Sequence, residues 1–545
     1  MHIRSLAWAC SLVVVTGAAL AAEPLPAPVP GPQRVTVAVF PPRADDAEGR
    51  RLALGLADRA GGLLFASGSY NHFHPKQLLA MTRHHALSLD QLQTLDGPEG
   101  AREAAQVLGT RAAWAGTLTR RPDGGYLLAG VAFDRDTGQR QDLRLELPRD
   151  AAAVVRDGGR AVAAAVAGLH QGRLPAEGGE GGLPPASDSG PAVEAYLACF
   201  ATLVEQPLGL RAAQVLDRGR LSAARQACQR AVELDPAFGA AWATLSLAQA
   251  LGFEDEAAAR SLERAERARG YLPFAGLARY WLATRFQGPE DGARVLEAAV
   301  AAHPGALIFL TSLGEHLNVS KRFGDALEVW ERYLKLVPDS PFGLAQKGYA
   351  LARLGKLDEA IRLSRLACDG DTGSLELKLE LASRLVDAQR LPEAETLLLS
   401  LASSRRVYGE VLLRLGYVYL LQRKDKEARV HLENALALAR GPGEWRTRGR
   451  TRVDLAVLAA RRGELAGAEQ LLIEAADEGF GVADLLGQFE ELKPLAAKAA
   501  FLERSQNPKV KAGRDLQFVT PFPVDARGES RPDGQRPAPI TGIRF

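Results

Sequence analysis

The sequence predicts a small amino-terminal α/β domain followed by an all-α solenoid of stacked helical hairpins. Three observations carry that expectation. A β-branched run, Arg34-Val-Thr-Val-Ala-Val-Phe40, alternates as a strand does, and strand-like segments recur within 111–147. A period of 34 residues runs through 307–442, with small and large apolar residues at fixed places. Between the two, residues 172–190 are rich in Gly, Pro, Glu and Ser and read as a flexible linker with nothing to bury. At 545 residues the chain exceeds one ordinary core, and 47% hydrophobic with 24% charged residues suits a folded soluble protein. Only 6% of residues are aromatic, while Ala, Leu and Gly abound, which favours helices packed at close range. A formal charge of +2 provides no global field that would favour nucleic acid or an anionic membrane as partner.

Residues 1–22 read as an export signal. His2 and Arg4 open it, Leu6 to Leu20 is apolar, and Ala19-Leu20-Ala21 supplies the small-x-small pattern of a cleavage site. The apolar run is short for a membrane span of roughly 20 residues. Pro24, Pro26, Pro28 and Pro30 then stop any helix and make 23–33 a Pro-rich spacer. Cys10 lies inside the apolar run, which argues against a lipid anchor. The chain is therefore expected to be exported and periplasmic, with an uncleaved anchor as the alternative. Beyond the signal remain Cys199, Cys228 and Cys368, an odd number, so at least one is unpaired within the chain. Geometry permits a Cys199–Cys228 bridge between neighbouring helices; burial as free, apolar thiols is the other reading.

Residues 34–171 form the α/β domain. After the first strand, Leu52, Leu54, Leu56, Ala60, Leu63 and Leu64 show helical spacing within 45–66. A short strand around His72-Phe73-His74 precedes a helix beginning at Pro75. A further helix spans 98–108 and ends at Gly109. Strands near 111–119 and 125–134 are joined by Pro122-Asp123-Gly124-Gly125, strong hairpin chemistry. A strand near 139–147 and an Ala/Val-rich helix over 149–170 complete the unit. Val37–Pro41, Leu79 to Leu89, Ala104-Ala105-Gln-Val-Leu-Gly109, Trp114-Ala-Gly-Thr117 and Phe133-Asp-Arg-Asp-Thr137-Gly138 resemble the bacterial envelope domains of CsgG-like, FlgO-like and TolB-amino-terminal proteins. That resemblance implies a binding or assembly module rather than an enzyme.

The repeat occupies 191–503. Units starting at 307, 341, 375 and 409 place Leu313-Gly314, Lys347-Gly348, Leu381-Ala382 and Leu415-Gly416 at positions seven and eight. Position twenty holds Ala326, Ala360, Ala394 and Ala428; position twenty-four holds Trp330, Ser364, Leu398 and Leu432. This pattern resembles the tetratricopeptide-repeat family, in which small residues at eight and twenty let the two helices of a hairpin approach. Divergent units begin at 239 and within 273–304, and Ala224, Cys228 and Ala231 mark a second helix before them. The first helix of that unit is left open between 193–204 and 208–218. After 442 the phase slips by six residues and resumes with Leu455-Ala456 and Ala468. Leu485, Phe489, Leu492 and Leu495 then read as a carboxy-terminal cap, giving about eight units. Residues 504–545 are polar and Pro-rich and read as a disordered tail.

First-helix positions two, five, nine and twelve line the concave groove. They select Glu315, Asn318, Tyr349, Ser383, Glu410, Leu413 and Tyr417, with Arg353 and Arg414 nearby. Aromatic, apolar and carrying both signs of charge, this set suits a peptide or helix of a partner protein. Catalytic signatures are missing: no phosphate-binding Gly-Lys loop, no Gly-x-Ser-x-Gly elbow, no HExxH and no paired Cys-x-x-Cys. His72, His74, His84 and His85 cluster in sequence, but no carboxylate or thiolate stands at matching spacing, so no metal, cofactor or catalytic residue is assigned. The expectation is a non-enzymatic periplasmic scaffold or adaptor that binds partner proteins in assembly or maintenance of a cell-envelope machine. Its alternative is a sensor or regulatory subunit of envelope signalling, because similar α/β-plus-repeat pairs occur behind transmembrane helices in bacterial cyclases and kinases.

Overall fold

A five-stranded sheet domain precedes a tetratricopeptide-type solenoid in the computed structural model of the chain. It describes residues 34–78, 101–175 (without 103, 104 and 107), 187–205, 218–403 (without 269), 409–440 and 444–496 (without 479, 487 and 488). The signal at 1–22, the spacer at 23–33, the segment Leu79 to Leu89 with His84 and His85, linker residues 176–186 and the tail at 504–545 lie outside the described residues. No helix among the described residues is long and apolar enough to cross a membrane.

The sheet runs in the order β2-β1-β3-β4-β5, from β1 (Val35–Val39), β2 (Tyr70–His72), β3 (Ala112–Arg120), β4 (Tyr126–Asp134) and β5 (Arg140–Leu147). β1 pairs in parallel with β2 and β3, and the last three strands form an antiparallel meander. The parallel β1–β2 pair is made possible by a crossover helix, α1 (Ala47–Ala66), capped where Asp46 accepts a bond from the Gly49 N–H. At the β3–β4 turn Asp123 accepts from Gly125 N–H, and Gly124 takes φ +86°. The helix predicted over 149–170 is α2, built of Ala151–Ala153, a π segment Val154–Gly158 and Gly159–Leu169. The Asp-x-x-Thr-Gly motif proves structural. Asp134 accepts from the N–H groups of Asp136 and Thr137, and its other oxygen meets Arg111 and His170 at 3.0 and 2.7 Å. Burial works against this carboxylate's charge, but those bonds outweigh it and hold the group at about 2.

Eight helical hairpins follow among the described residues. They pair α3 (Gly190–Glu205) with α4 (Arg218–Leu234), α5 (Gly239–Leu251) with α6 (Asp255–Arg267), α7 (Pro273–Phe286) with α8 (Pro289–Ala302), and α9 (Leu307–Val319) with α10 (Phe323–Leu336). The remainder are α11 (Pro341–Arg353) with α12 (Leu357–Gly370), α13 (Leu375–Asp387) with α14 (Leu391–Ala402), α15 (Gly409–Leu421) with α16 (Asp425–Leu438), and α17 (Trp445–Arg461) with α18 (Leu465–Asp477). First helices start at 239, 273, 307, 341, 375 and 409, so the units read as divergent keep the same 34-residue step. The six-residue slip falls before the α17–α18 turn, and the 17-residue α17 absorbs part of it. Gly190–Glu205 settles the first helix left open by sequence, and Cys199 is bonded to Cys228 across the α3–α4 hairpin. Cys368 is free and half-buried.

Two devices hold the hairpins in step. Position twenty is a fully buried Ala in Ala326, Ala360, Ala394 and Ala428. Opposite it, a Cβ on Gly348 would stand 3.2 Å from the Ala360 carbonyl oxygen. At Gly314 and Gly416 the first obstacle is instead position twenty-four: a Cβ would lie 2.5 Å from the buried Trp330 indole and 2.7 Å from Leu432. The second device is the turn between the helices. Phe253, Lys321, Gly355, Gln389 and Arg423, all at position fifteen, have φ between 57° and 81°. The following residue then reaches back five places, as in Lys356 N–H to Leu351 O and Arg390 N–H to Leu385 O at 2.9 and 2.8 Å. This is the bond set of a Schellman stop, with glycine at only one of those five left-handed positions.

The two domains share one core. A single buried cluster runs from Val37 to Ala350, through both the sheet domain and the first repeats. The Thr36 hydroxyl donates to Leu336 O at 2.6 Å, satisfying a carbonyl that the end of α10 leaves open. Gln77 donates to Thr311 at 3.1 Å, Lys76 Nζ to Leu203 O at 2.6 Å, and Arg135 pairs with Asp339 at 3.2 Å. Gly109, at φ +69°, lets its backbone approach the Asp339–Ser340 peptide, where a Cβ would come within 2.6 Å. Ser187, assigned to the linker as having nothing to bury, is itself 4% exposed, and beside it Asp188 pairs with Arg156 of α2.

Two substitutions separate the devices. Gly314→Ala should lower the melting midpoint, at a cost of about 1–3 kcal/mol from overpacking against Trp330, whereas Gly348→Ala should be close to neutral because its gain in helix propensity offsets a mild contact. Gln389→Gly should raise the midpoint, adding roughly 0.5–1 kcal/mol by relieving a left-handed side chain. Thermal unfolding of the three variants decides both points, and a neutral Gly314→Ala would refute the first.

Candidate partner-binding groove

Consecutive first helices are 34 residues apart, so equal positions stack as a ladder. Glu315, Tyr349, Ser383 and Tyr417 are all position nine, on α9, α11, α13 and α15. The predicted residues divide into three groups along that ladder. Ser383, Glu410, Leu413, Arg414 and Tyr417 line one open pocket of about 310 Å³, within the range of small-ligand and side-chain sites. Tyr349 and Arg353 form a second group, with Arg353 over the Phe323 ring at 5.4 Å and Phe323 edge-on to Tyr349 at 6.1 Å. Glu315 and Asn318 belong to neither. Glu315 is half-buried, and Asn318 is 7% exposed, donating to Gln346 at 3.3 Å.

The pocket is built by three first helices, with Leu398 added from α14. α13 gives Ser383 and Asp387, α15 gives the four predicted residues from Glu410 to Tyr417, and α17 gives Arg450 and Asp454. Leu398, Leu413 and Val386 make its apolar part. Arg414 binds Glu410 at 2.8 Å and also the Ser383 hydroxyl, so its guanidinium bridges two repeats. Arg450 holds Asp454 at 3.1 Å and lies over the Tyr417 ring at 4.7 Å. Two ion pairs of opposite polarity thus face one another: acid to base along α15, base to acid along α17. Such a site can receive a peptide carrying an apolar side chain flanked by either charge.

Asp387, Arg450 and Asp454 escaped the sequence reading. Arg450 and Asp454 were within reach, since carrying the six-residue slip forward makes them positions two and six of their unit, equivalent to Glu410 and Arg414. The histidines resolve differently. His72 and His74 are both 2% exposed, and His74 Nε2 meets Asp58 at 3.2 Å. That carboxylate partner comes from α1, so no local spacing could show it. Among the described residues, no group of three or more His, Cys, Asp or Glu side chains is placed to hold a metal ion.

Asp454 is the most perturbed acid of the groove. Complete burial pushes it up to about 6, with Arg450 pulling only partly the other way. Because the folded value exceeds the unfolded one, the group binds protons more tightly when folded, and its ionisation costs stability as pH rises from about 4 to 6. Asp454→Asn removes that titration. The stability of the variant relative to the parent should therefore climb by about 1–3 kcal/mol between pH 4 and 7, whatever offset the lost Arg450 pairing adds. Paired denaturation curves across that range check it; a pH-independent difference would refute it.

The family model described as tetratricopeptide repeat matches residues 285–341. Among solved structures, a tetratricopeptide-repeat protein of Thermus thermophilus is similar at 24% identity over 35% of this chain and 96% of that one, with a TM-score of 0.29. A tetratricopeptide-repeat protein from Parabacteroides merdae is similar at 14% identity over 47% and 98%, with a TM-score of 0.34. Yeast Tom70 is similar at 14% identity over 62% and 70%, with a TM-score of 0.40. No curated protein matches the chain.

Proposed function

We propose that this tetratricopeptide-repeat chain is a non-enzymatic scaffold or adaptor, exported to the periplasm, that binds partner proteins of a bacterial cell-envelope machine. One observation carries the reading: four residues chosen from repeat register, with Arg414 named beside them, converge on a single open pocket with paired charges and an aromatic face. The repeat fold supports protein partners in general, and the pocket supplies the place. Export is supported by the amino-terminal pattern of basic start, apolar run and small-x-small site, and by the Cys199–Cys228 bond, which suits an oxidising compartment. The sheet domain is the fixed base of the assembly, because it shares its core with the first repeats.

A photo-crosslinker placed at Val386 in native envelope preparations should trap a defined partner, identified by mass spectrometry. Arg414→Glu and Tyr417→Ala should each reduce that capture about tenfold or more, as loss of an Arg or aromatic anchor does. Capture unchanged by both substitutions would show that the pocket is not the docking site. Fractionation that left the chain in the cytoplasm would overturn the exported location.

A further inference from the structure

A second cavity lies on the seam between the sheet domain and the first repeats, away from the groove. It measures about 80 Å³, about five times the ~15 Å³ that one water requires. Its acidic group is Asp58 of α1. One carboxylate oxygen is 3.2 Å from His74 Nε2, while His74 Nδ1 accepts from the Lys76 N–H at 3.2 Å. A ring nitrogen that accepts carries no proton, so His74 is neutral and donates to Asp58 through Nε2. The aspartate keeps its charge and has its orientation fixed.

Aromatic rings form the wall. Phe238 meets Tyr196 at 4.9 Å, Tyr196 stacks on Phe200 at 5.5 Å, Phe200 meets Phe274 at 5.7 Å, and Phe274 meets His74 at 5.0 Å. Tyr271 closes the lining from the turn before α7. The other polar side chains of the lining are His72, Arg59 and Thr244. His72 is held down to about 3 by burial and is neutral, and its Nδ1 has no hydrogen-bond partner among the described residues. Arg59 is 7% exposed with its Nε and Nη2 shut from solvent, whereas the Asp58 side chain is 29% exposed. Of the two charges that line the cavity, the carboxylate is the more accessible.

A fixed anion ringed by aromatic faces is the chemistry that holds an organic cation: the carboxylate supplies the Coulomb attraction and the ring quadrupoles solvate the remaining charge. We propose that this seam cavity binds a small organic ammonium compound. Its residues come from both domains, Asp58 and His74 from one and Tyr196, Phe238, Tyr271 and Phe274 from the other. A bound cation therefore also fastens the sheet domain to the repeats.

Calorimetric titration of the full-length chain with choline chloride tests this, using the neutral isostere 3,3-dimethylbutan-1-ol as the comparison. Choline should saturate one site at millimolar concentration or below, and the isostere should bind at least tenfold more weakly. Asp58→Asn should weaken choline at least tenfold. Because that change also disturbs His74, Phe274→Leu serves as the second variant: it keeps apolar volume, removes a ring face and should weaken choline several-fold. Equal binding of choline and its isostere, no binding at tens of millimolar choline, or full affinity in Phe274→Leu would each overturn the proposal.

Discussion

The structure depends on how closely two helices can approach within a hairpin. Position twenty is methyl-sized in every regular unit, and position eight is Gly or Ala where it faces that methyl. Once the backbones touch there, larger residues at position twenty-four can fill only the widening side of the wedge, as Trp330, Leu398 and Leu432 do at 0% exposure. A hairpin shaped in this way has an apolar face it cannot bury alone, so the next must stack on it. The constant wedge then fixes the step, and the step fixes which side chains form the inner ladder. The groove is a consequence of small residues that never touch a ligand.

That dependence explains what was legible. Register carries a repeat fold in sequence, because each contact within a hairpin spans only a dozen or so residues. The start at 307 predicted unit starts at 341, 375 and 409, where first helices begin, and its position nine selected Ser383 and Tyr417, which line the pocket. Asn318 shows the limit of the same logic. Its position belongs to the ladder, yet a neighbour on α11, Gln346, takes its amide and the side chain is buried. Register fixes the direction of a side chain but not the length of whatever faces it. The turns were illegible for another reason: Phe253, Lys321, Gln389 and Arg423 occupy a left-handed position that normally signals itself with glycine.

The seam between the domains left no local trace. Thr36 and Leu336 are 300 residues apart, and nothing near either announces the bond between them. Gly109 read as an ordinary helix stop, and its close approach to Asp339–Ser340 adds a tertiary reason for the missing side chain. His72 and His74 read as an incomplete metal pair for want of a carboxylate, which the fold supplies as Asp58 from a different element. For Gly109 and the two histidines the residue type was noticed and its partner was not, because the partner is set by topology rather than spacing.

The seam also bears on the groove. One core extends from β1 through α11, whereas a second cluster holds the repeats from Ile361 to Leu495, with only small clusters around α11 and α12 between them. The pocket at Ser383, Arg414 and Asp454 lies wholly in the second body. A solenoid bends most readily where few apolar contacts cross, since each repeat touches only its neighbours. Between the two clusters, in the α11–α12 unit, position twenty-four is a serine, Ser364, rather than a large apolar residue. The sheet domain thus shares its core with the amino-terminal repeats, while the pocket is carried by a buried cluster of the carboxy-terminal repeats alone.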